Sequence, residues 1–179
     1  MESTLRLGVF TGQVVPFKEL VKRLKFCEEA GYDSIWVADH FAHWNKRLEP
    51  FWECWSFLSA IACYTSKIRF GSLVTNMSWR HPAWLARQAL TIDYISSGRL
   101  TIGLGSGKHG SSDHEMIIYN DWSTKERVER FQEYVEIIDS LLRNPVTTYL
   151  GKYFQLNEAP LSPECVQKPR LPILIGTKG

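Results

Sequence analysis

Acidic, imidazole and indole side chains occur together directly after an apolar, strand-like segment at residues 34–38. Asp39 and His40 follow this segment, and His43 and Trp44 lie just beyond it. An imidazole titrates near neutral pH, so a carboxylate–histidine pair at the end of a strand suits proton transfer. Trp44 could cover a flat cofactor ring. The alternative is structural, with Asp39 capping the next segment and His40 satisfied by neighbouring groups.

A metal site is a second alternative at the same position, because His40-x-x-His43 resembles a ligand spacing. No H-x-H lies on the first strand to complete such a site. The four cysteines form no C-x-x-C pair, and they read as buried free thiols of a cytosolic protein.

A glycine-rich stretch follows the strand-like residues 99–104. Residues 105–110 match G-x-G-x-x-G, but the residues after Gly110 read as a loop, whereas a dinucleotide fingerprint requires a helix there. Close approach of a ligand to the backbone at Ser106 and Gly107 is still expected, since glycine lacks a Cβ atom. The alternative is a flexible loop.

A third candidate segment lies where residues 68–74 change from apolar to polar. A central strand that ends in this way offers its backbone and small side chains to a planar ligand, although an ordinary strand end would look the same. The candidates here are Ser72, Leu73, Val74 and Asn76.

Strand-like and helix-like segments alternate along the chain, which predicts a parallel sheet with right-handed crossovers. The helices are expected at about 17–30, 53–64, 82–97 and 123–144, the last with an apolar stripe that includes Val128 and Phe131. Asp93 and Arg99 are expected to pair at the end of the third helix. Residues 147–149 and 153–156 predict a hairpin, and residues 173–175 a last strand that ends at Gly176.

Either a doubly wound sheet or a (β/α)₈ barrel fits this alternation. A full barrel typically needs about 250 residues, and 179 residues supply about five of its eight strands. We therefore expect one domain, residues 1–179, which on the barrel alternative is only the amino-terminal portion of the fold. On this interpretation Gly179 is not a natural domain end, and either the sequence is a fragment or another chain completes the fold.

Composition narrows the classes of partner. Apolar residues make up 44% of the chain and its net charge is +2. Without a basic patch, a long apolar stretch or a signal-like start, we expect no nucleic-acid partner, no membrane association and a cytoplasmic location.

Short motifs in a fixed order now identify a family resemblance. The chain resembles the bacterial luciferase-like flavin oxidoreductases, and most of all their deazaflavin-dependent branch. The segments that carry the resemblance are Asp39-His40-Phe41, Gly71-Ser72-Leu73-Val74-Thr75, Arg80-His81-Pro82, residues 93–99, residues 103–107, Glu129-Arg130-Phe131, Gly151-Lys152-Tyr153-Phe154 and residues 172–176.

The resemblance implies a luciferase-like (β/α)₈ TIM barrel that uses the deazaflavin coenzyme F420 or FMN. It implies hydride transfer to, or monooxygenation of, a small organic substrate, and a homodimer. His40 and Trp44 would face the reacting carbon, with His40 as proton donor or acceptor. The cofactor would contact Asp39, the Ser72-Leu73-Val74 segment with its non-proline cis peptide, Asn76, Ser106, Gly107 and, near its phosphate-bearing tail, Gly176.

One departure from the branch concerns Lys108. Deazaflavin-dependent sugar-phosphate and alcohol dehydrogenases carry a glutamate directly after the last glycine of the Gly-x-Gly-x-Gly stretch, so their acid–base scheme does not transfer. Since the last three strands contribute much of the cofactor's phosphate site, the chain alone is expected to bind cofactor weakly or not at all. The alternative function is a catalytically incompetent truncated barrel that only self-associates or binds a partner.

Overall fold

The computed structural model of the chain describes residues 5–108, 110–117 and 121–176. Its strands are β1 (Gly8–Phe10), β2 (Ser34–Val37), β3 (Arg69–Ser72), β4 (Thr75–Asn76), β5 (Leu100–Gly105), β6 (Val146–Leu150), β7 (Gln155–Pro160) and β8 (Ile173–Ile175). Its helices are α1 (Phe17–Glu29), α2 (Cys54–Tyr64), α3 (Pro82–Ile95), α4 (Ser112–Met116) and α5 (Thr124–Arg143), with a single 3₁₀ turn at Met77–Trp79.

Six strands form one parallel sheet, in which β1, β2, β3 and β5 are successive neighbours. β4 and β8 both pair with β5 in parallel. The predicted α/β class and parallel sheet are confirmed. The predicted strand at residues 68–74 is interrupted after Ser72 and resumes as the short β4. Among the described residues the sheet does not close into a barrel, because β1 pairs only with β2 and β8 only with β5.

Three of the long helices begin at caps that the sequence supplies. The Glu53 carboxylate accepts hydrogen bonds from two backbone N–H groups of α2, and the His81 ring accepts one from α3, in which Pro82 occupies the first turn. The Ser123 hydroxyl accepts from the Glu126 backbone N–H at the start of α5. These side chains satisfy donors that have no partner within the helix.

Two expectations about the helices were wrong. The residues after Gly110 form the short helix α4, capped by the Ser111 hydroxyl, rather than a loop. Asp93 and Arg99 do not pair: the Asp93 carboxylate, fully buried, accepts from the backbone and side chain of Gln167, while the Arg99 guanidinium donates to carbonyl groups such as that of Ala62.

The main hydrophobic core lies between the sheet and helices α1, α2, α3 and α5. The apolar stripe of α5 enters this core only from its third turn, where Tyr134 and Ile138 are fully buried. Val128, which lies on the predicted apolar stripe, is 58% exposed, because the first turns of α5 extend past the end of the sheet.

The hairpin, the cysteines and the search for membrane-spanning helices complete the comparison with the sequence. β6 and β7 pair as the expected antiparallel hairpin. Cys27, Cys54 and Cys165 are buried free cysteines, as expected, but Cys63 is exposed, so the expectation was wrong for that residue. Within the described ranges, no helix is both long enough and apolar enough to span a membrane.

Candidate active-site cleft

The carboxyl ends of β2, β4, β5 and β8 open into one cleft with a volume of about 940 Å³. Ligands bind at this end of the strands in parallel α/β folds, and the volume lies in the range of small-molecule sites. The lining residues are Asp39, His40, Leu73, Val74, Asn76, Gly105, Ser106, Gly107, Lys108, Ser111, Asp113, Thr124, Arg127, Val128, Phe131, Ile175 and Gly176.

Most of the residues predicted to form the site come together here. Those that line the cleft are Asp39, His40, Leu73, Val74, Asn76, Ser106, Gly107 and Gly176. The roles of these residues in binding and catalysis stay predictions. The structure does bring four segments that are far apart in sequence into one cleft.

Two predicted site residues do not line the cleft. Ser72 is fully buried, and its hydroxyl donates to the Gly103 carbonyl oxygen at 3.0 Å and accepts from the Gly103 N–H at 3.1 Å. Its position therefore supports a role in joining β3 to β5 rather than ligand contact. The Trp44 ring, 42% exposed, packs edge-on against His40 with 5.6 Å between centroids and stacks on His43.

An unpredicted carboxylate holds His40. The Asp113 side chain is 2% exposed, and its Oδ2 lies 2.6 Å from His40 Nδ1. Its Oδ1 accepts from the Phe41 backbone N–H at 3.0 Å. Asp113 thus fixes both the ring and the backbone of the segment that follows β2.

This contact determines which ring nitrogen of His40 faces a ligand. With Nδ1 hydrogen-bonded to a carboxylate acceptor, a neutral imidazole carries its proton on Nδ1, which leaves Nε2 as the basic nitrogen. No described residue hydrogen-bonds to Nε2. The hydrogen bond to Asp113 raises the pKa of His40, burial opposes this shift, and the charges of Asp113 and Asp39 add to it.

Asp39 belongs to a separate ionic cluster. Its two carboxylate oxygens accept from the Arg80 guanidinium at 2.6 and 3.1 Å, and Oδ2 also accepts from the Asn76 backbone N–H at 3.0 Å. Arg80 in turn donates to Glu53 at 2.6 Å. Burial raises the pKa of Asp39, and the Arg80 guanidinium opposes this rise. Sequence reasoning gave Arg80 no part in the site, so the cluster was missed.

Close packing at the strand ends shapes the floor of the cleft. The Leu73–Val74 peptide bond is cis, as the resemblance implies. Val74 lies between the ends of β5 and β8: a Cβ atom at Gly105 would lie 2.6 Å from Val74 Cγ2, and one at Gly176 would lie 3.0 Å from it. Gly107 has a φ of +71°, and a Cβ atom there would lie 2.7 Å from Asn76 Oδ1.

One wall of the cleft comes from the first turns of α5, which sequence reasoning did not connect with the site. It presents Thr124, Arg127, Val128 and Phe131. Val128 and Phe131, together with Ile175 and with Leu73, which is 42% exposed, supply apolar surface on which a flat ring can pack.

The metal site and the dinucleotide fingerprint that the sequence raised as alternatives gain no support from the geometry. Within the described ranges, no three His, Cys, Asp or Glu side chains are grouped so that they could hold a metal ion. The G-x-G-x-x-G stretch does precede a helix, but α4 has only 5 residues. His109 of that stretch lies outside the described residues.

Comparison with known families gives one match over nearly the whole chain. Residues 3–179 match the family model described as luciferase-like monooxygenase.

Curated relatives include an F420-dependent dehydrogenase and a reductase. The chain is 30% identical over 146 residues to an F420-dependent glucose-6-phosphate dehydrogenase of Amycolatopsis mediterranei, an alignment that covers 79% of this chain and 43% of the relative. It is 29% identical over 175 residues to a 5,10-methylenetetrahydromethanopterin reductase of Archaeoglobus fulgidus, covering 98% and 48%. The chain therefore spans about half the length of the curated relatives it matches.

Solved structures show the same fold. The coenzyme F420-dependent tetrahydromethanopterin reductase from Methanopyrus kandleri superimposes with a TM-score of 0.80 at 26% identity, over 99% of this chain and 51% of that one. An F420-dependent secondary alcohol dehydrogenase, in complex with an F420–acetone adduct, superimposes with a TM-score of 0.83 at 22% identity, over 95% and 51%.

Proposed function

Because the chain belongs to the luciferase-like monooxygenase family, we propose that its cleft holds a flavin-type ring and serves the oxidation or reduction of a small organic substrate. The observation that carries this proposal is the position of His40: its Nδ1 is bound to a buried carboxylate, its Nε2 is unbonded among the described residues, and its ring lines the cleft.

The lining residues fit a flat heteroaromatic group with a polar edge. Leu73, Val128, Phe131 and Ile175 offer apolar contact. The backbone at Ser106 and Gly107 offers polar groups without obstruction by a Cβ atom at Gly107. Apolar walls with a few fixed polar groups are the usual construction of a cofactor site.

The protein's part in the proposed reaction is to position groups and to move a proton. When bound, the cofactor supplies the hydride or electron chemistry. His40 Nε2 donates or accepts the proton whose transfer accompanies that of the hydride or electrons. Asp113 holds the imidazole so that Nε2 faces the cleft. Arg80 balances the charge of Asp39 beneath the site, so a ligand meets a neutralised carboxylate.

We favour the deazaflavin coenzyme F420 over FMN, since the glucose-6-phosphate dehydrogenase of Amycolatopsis mediterranei and the reductase of Methanopyrus kandleri are F420-dependent. On the same ground we favour hydride transfer over monooxygenation. Lys108 lines the cleft where sugar-phosphate and alcohol dehydrogenases of the deazaflavin branch carry a glutamate, so their substrates are not transferred to this chain. For the complete protein we propose a (β/α)₈ barrel with a cytoplasmic location. We also propose that it forms a homodimer, which sedimentation of that protein would test.

Titration of the purified chain with oxidised F420 and, separately, with FMN, followed by absorbance and fluorescence, tests the proposal. We expect a weak but saturable spectral change with F420 and a smaller one with FMN. Val128→Glu should abolish it by placing a charge on the apolar wall. Val146→Glu is the matched control, because Val146 is similarly exposed on the hairpin. Absence of any change with either cofactor would favour the alternative, a half-barrel that only self-associates or binds a partner.

A further inference from the structure

The loop that follows β2 carries several of the predicted site residues, and it is held in place by other parts of the fold. Its residues, 38–52, all lie within the described ranges and form neither helix nor strand. They include Asp39, His40 and Trp44. Since no ladder of helix or sheet hydrogen bonds runs through this segment, called the β2 loop below, its position depends on particular contacts with its surroundings.

The side chain of Gln13 joins the two ends of the β2 loop. Its Oε1 accepts from the Ala38 backbone N–H at 2.8 Å, and its Nε2 donates to the Trp52 carbonyl oxygen at 2.6 Å. Gln13 is only 1% exposed and Ala38 only 3%, so water does not replace these partners. One buried amide therefore closes the whole loop.

Trp52 gives this amide a fixed point to hold on to. The Trp52 backbone N–H donates to the Gln13 carbonyl oxygen at 3.3 Å, and its indole Nε1 donates to the Val15 carbonyl oxygen at 2.8 Å. Its ring packs edge-on against Phe17, with 5.6 Å between centroids. The Gln13 side chain extends this hold to Ala38, which directly precedes Asp39.

The chemistry of the Gln13 position requires a group that both donates and accepts. A buried backbone N–H or carbonyl group without a partner costs free energy, and a carboxamide satisfies one of each. A carboxylate could accept from Ala38, but its second oxygen would face the Trp52 carbonyl oxygen. A thioether of similar size could make neither strong hydrogen bond.

Asp113 holds the same loop from a different element. It contacts His40 Nδ1 and the Phe41 N–H from α4, whereas Gln13 lies between β1 and α1. The contact of His40 with Asp113 therefore depends on two supports. Asp113 is held by α4, and the backbone that leads to His40 is held by Gln13.

We infer that Gln13 is a positioning residue of the proposed active site, whose amide fixes both ends of the β2 loop and thereby keeps His40 against Asp113. Gln13 is not among the described residues that line the cleft, so it acts through His40 rather than on a ligand. Its part in the reaction rests on the proposed function, whereas its hold on His40 rests on the hydrogen bonds alone.

Gln13→Met removes both side-chain hydrogen bonds and tests this hold by NMR. Amide hydrogen exchange of Phe41 should accelerate by about tenfold or more, the usual effect of losing a buried hydrogen bond, and the His40 Nδ1–H resonance should shift. Neither reporter is bonded to Gln13. Gln167→Met is the matched control, because the Gln167 Nε2 also makes two hydrogen bonds, to Asp93 and to the Leu100 carbonyl oxygen, at 2.8 Å each. It should leave both reporters unchanged.

Gln13→Glu is a second variant, which keeps the acceptor for Ala38 and loses the donor to Trp52. It should change both reporters in the same direction, and it carries the test if Gln13→Met does not fold. Reporters that behave in the folded Gln13 variant as they do in Gln167→Met overturn the inference.

Titration with oxidised F420 tests the part of Gln13 in the active site. In Gln13→Met the F420-induced shift of the His40 amide should shrink, while that of Gly176 remains. An undiminished His40 shift overturns this part of the inference. If F420 shifts no resonance even in the wild type, the proposed function fails, and displacement of His40 in Gln13→Met still supports the hold that Gln13 has on it.

Discussion

Replacing Asp113 by asparagine tests how the cleft prepares His40 for proton transfer. An asparagine can keep the hydrogen bond from the Phe41 N–H, which in the wild type spans 3.0 Å. Facing His40 Nδ1, now 2.6 Å from a carboxylate oxygen, the amide N–H₂ would donate instead of accepting. The neutral imidazole would then carry its proton on Nε2, and the ligand-facing nitrogen would lose its basic lone pair.

Three changes in the protein follow from this geometry, two of them with a magnitude. The pKa of His40 should fall, because the hydrogen bond to Asp113 is the main cause of its rise. Exchanging a charge-assisted hydrogen bond for a neutral one should lower the free energy of unfolding by about 1–2 kcal/mol. Under the proposed function, turnover of the complete enzyme should fall by about 10²-fold or more, the usual contribution of a positioned acid or base.

Long-range ¹H–¹⁵N NMR of the imidazole reports both the tautomer and the pKa. His40→Gln identifies the resonances. Glu115→Gln is the matched control, because Glu115 lies on the same short helix and its carboxylate forms an exposed ion pair with Arg47. If Asp113→Asn leaves the Nδ1–H tautomer and the pKa of His40 unchanged, Asp113 does not position the imidazole and the reasoning is refuted.

Three further predictions concern stability. Arg80→Ala should lower the free energy of unfolding by about 3–5 kcal/mol in urea titrations, since it leaves the buried Asp39 carboxylate unpaired. The Asp39→Asn/Arg80→Met double variant removes both charges and should be more stable than Arg80→Ala. If it is no more stable, the loss of charge pairing is not the cause. Gly107→Ala should cost about 1–3 kcal/mol, because φ is +71° and a Cβ atom would crowd Asn76; an unchanged thermal midpoint would contradict this. His40 has an ordinary pKa of 6.5 that is raised in the folded chain, so its contribution to stability is fully present below pH 6.5 and is lost as the pH rises through the raised value. Denaturation from pH 6 to 9 should show this loss in the wild type and a smaller one in Asp113→Asn.

Local signals in the sequence predicted the strand ends well. The apolar run before Asp39 and the glycines after β5 both mark the carboxyl edge of a parallel sheet, and the sheet's topology necessarily brings such edges together. The order of short motifs added Gly176, which neighbours Val74 in space. These parts of the cleft depend on strand periodicity, which a single sequence reveals.

The contacts across the cleft could not be read in the same way. Asp113 is 73 residues from His40 and follows a stretch without regular periodicity. The local signal of a helix there was Ser111, because a serine is a common helix cap that accepts from the backbone N–H three residues later. Arg80 and Asp39 are 41 residues apart. The stripe of α5 has helical periodicity along its whole length, but periodicity does not tell where the sheet stops. The sequence therefore gave no sign that Val128 lines the cleft.

The most direct test of the central claim is to map cofactor contacts on the chain by amide NMR during titration with oxidised F420. We predict that the largest shifts fall on His40, Ser106, Gly107 and Gly176, at the carboxyl ends of the strands. Shifts concentrated at the opposite ends, around Gly8, Asp33 and Arg69, or no shifts at all, would contradict the proposal that this cleft is a flavin-type cofactor site.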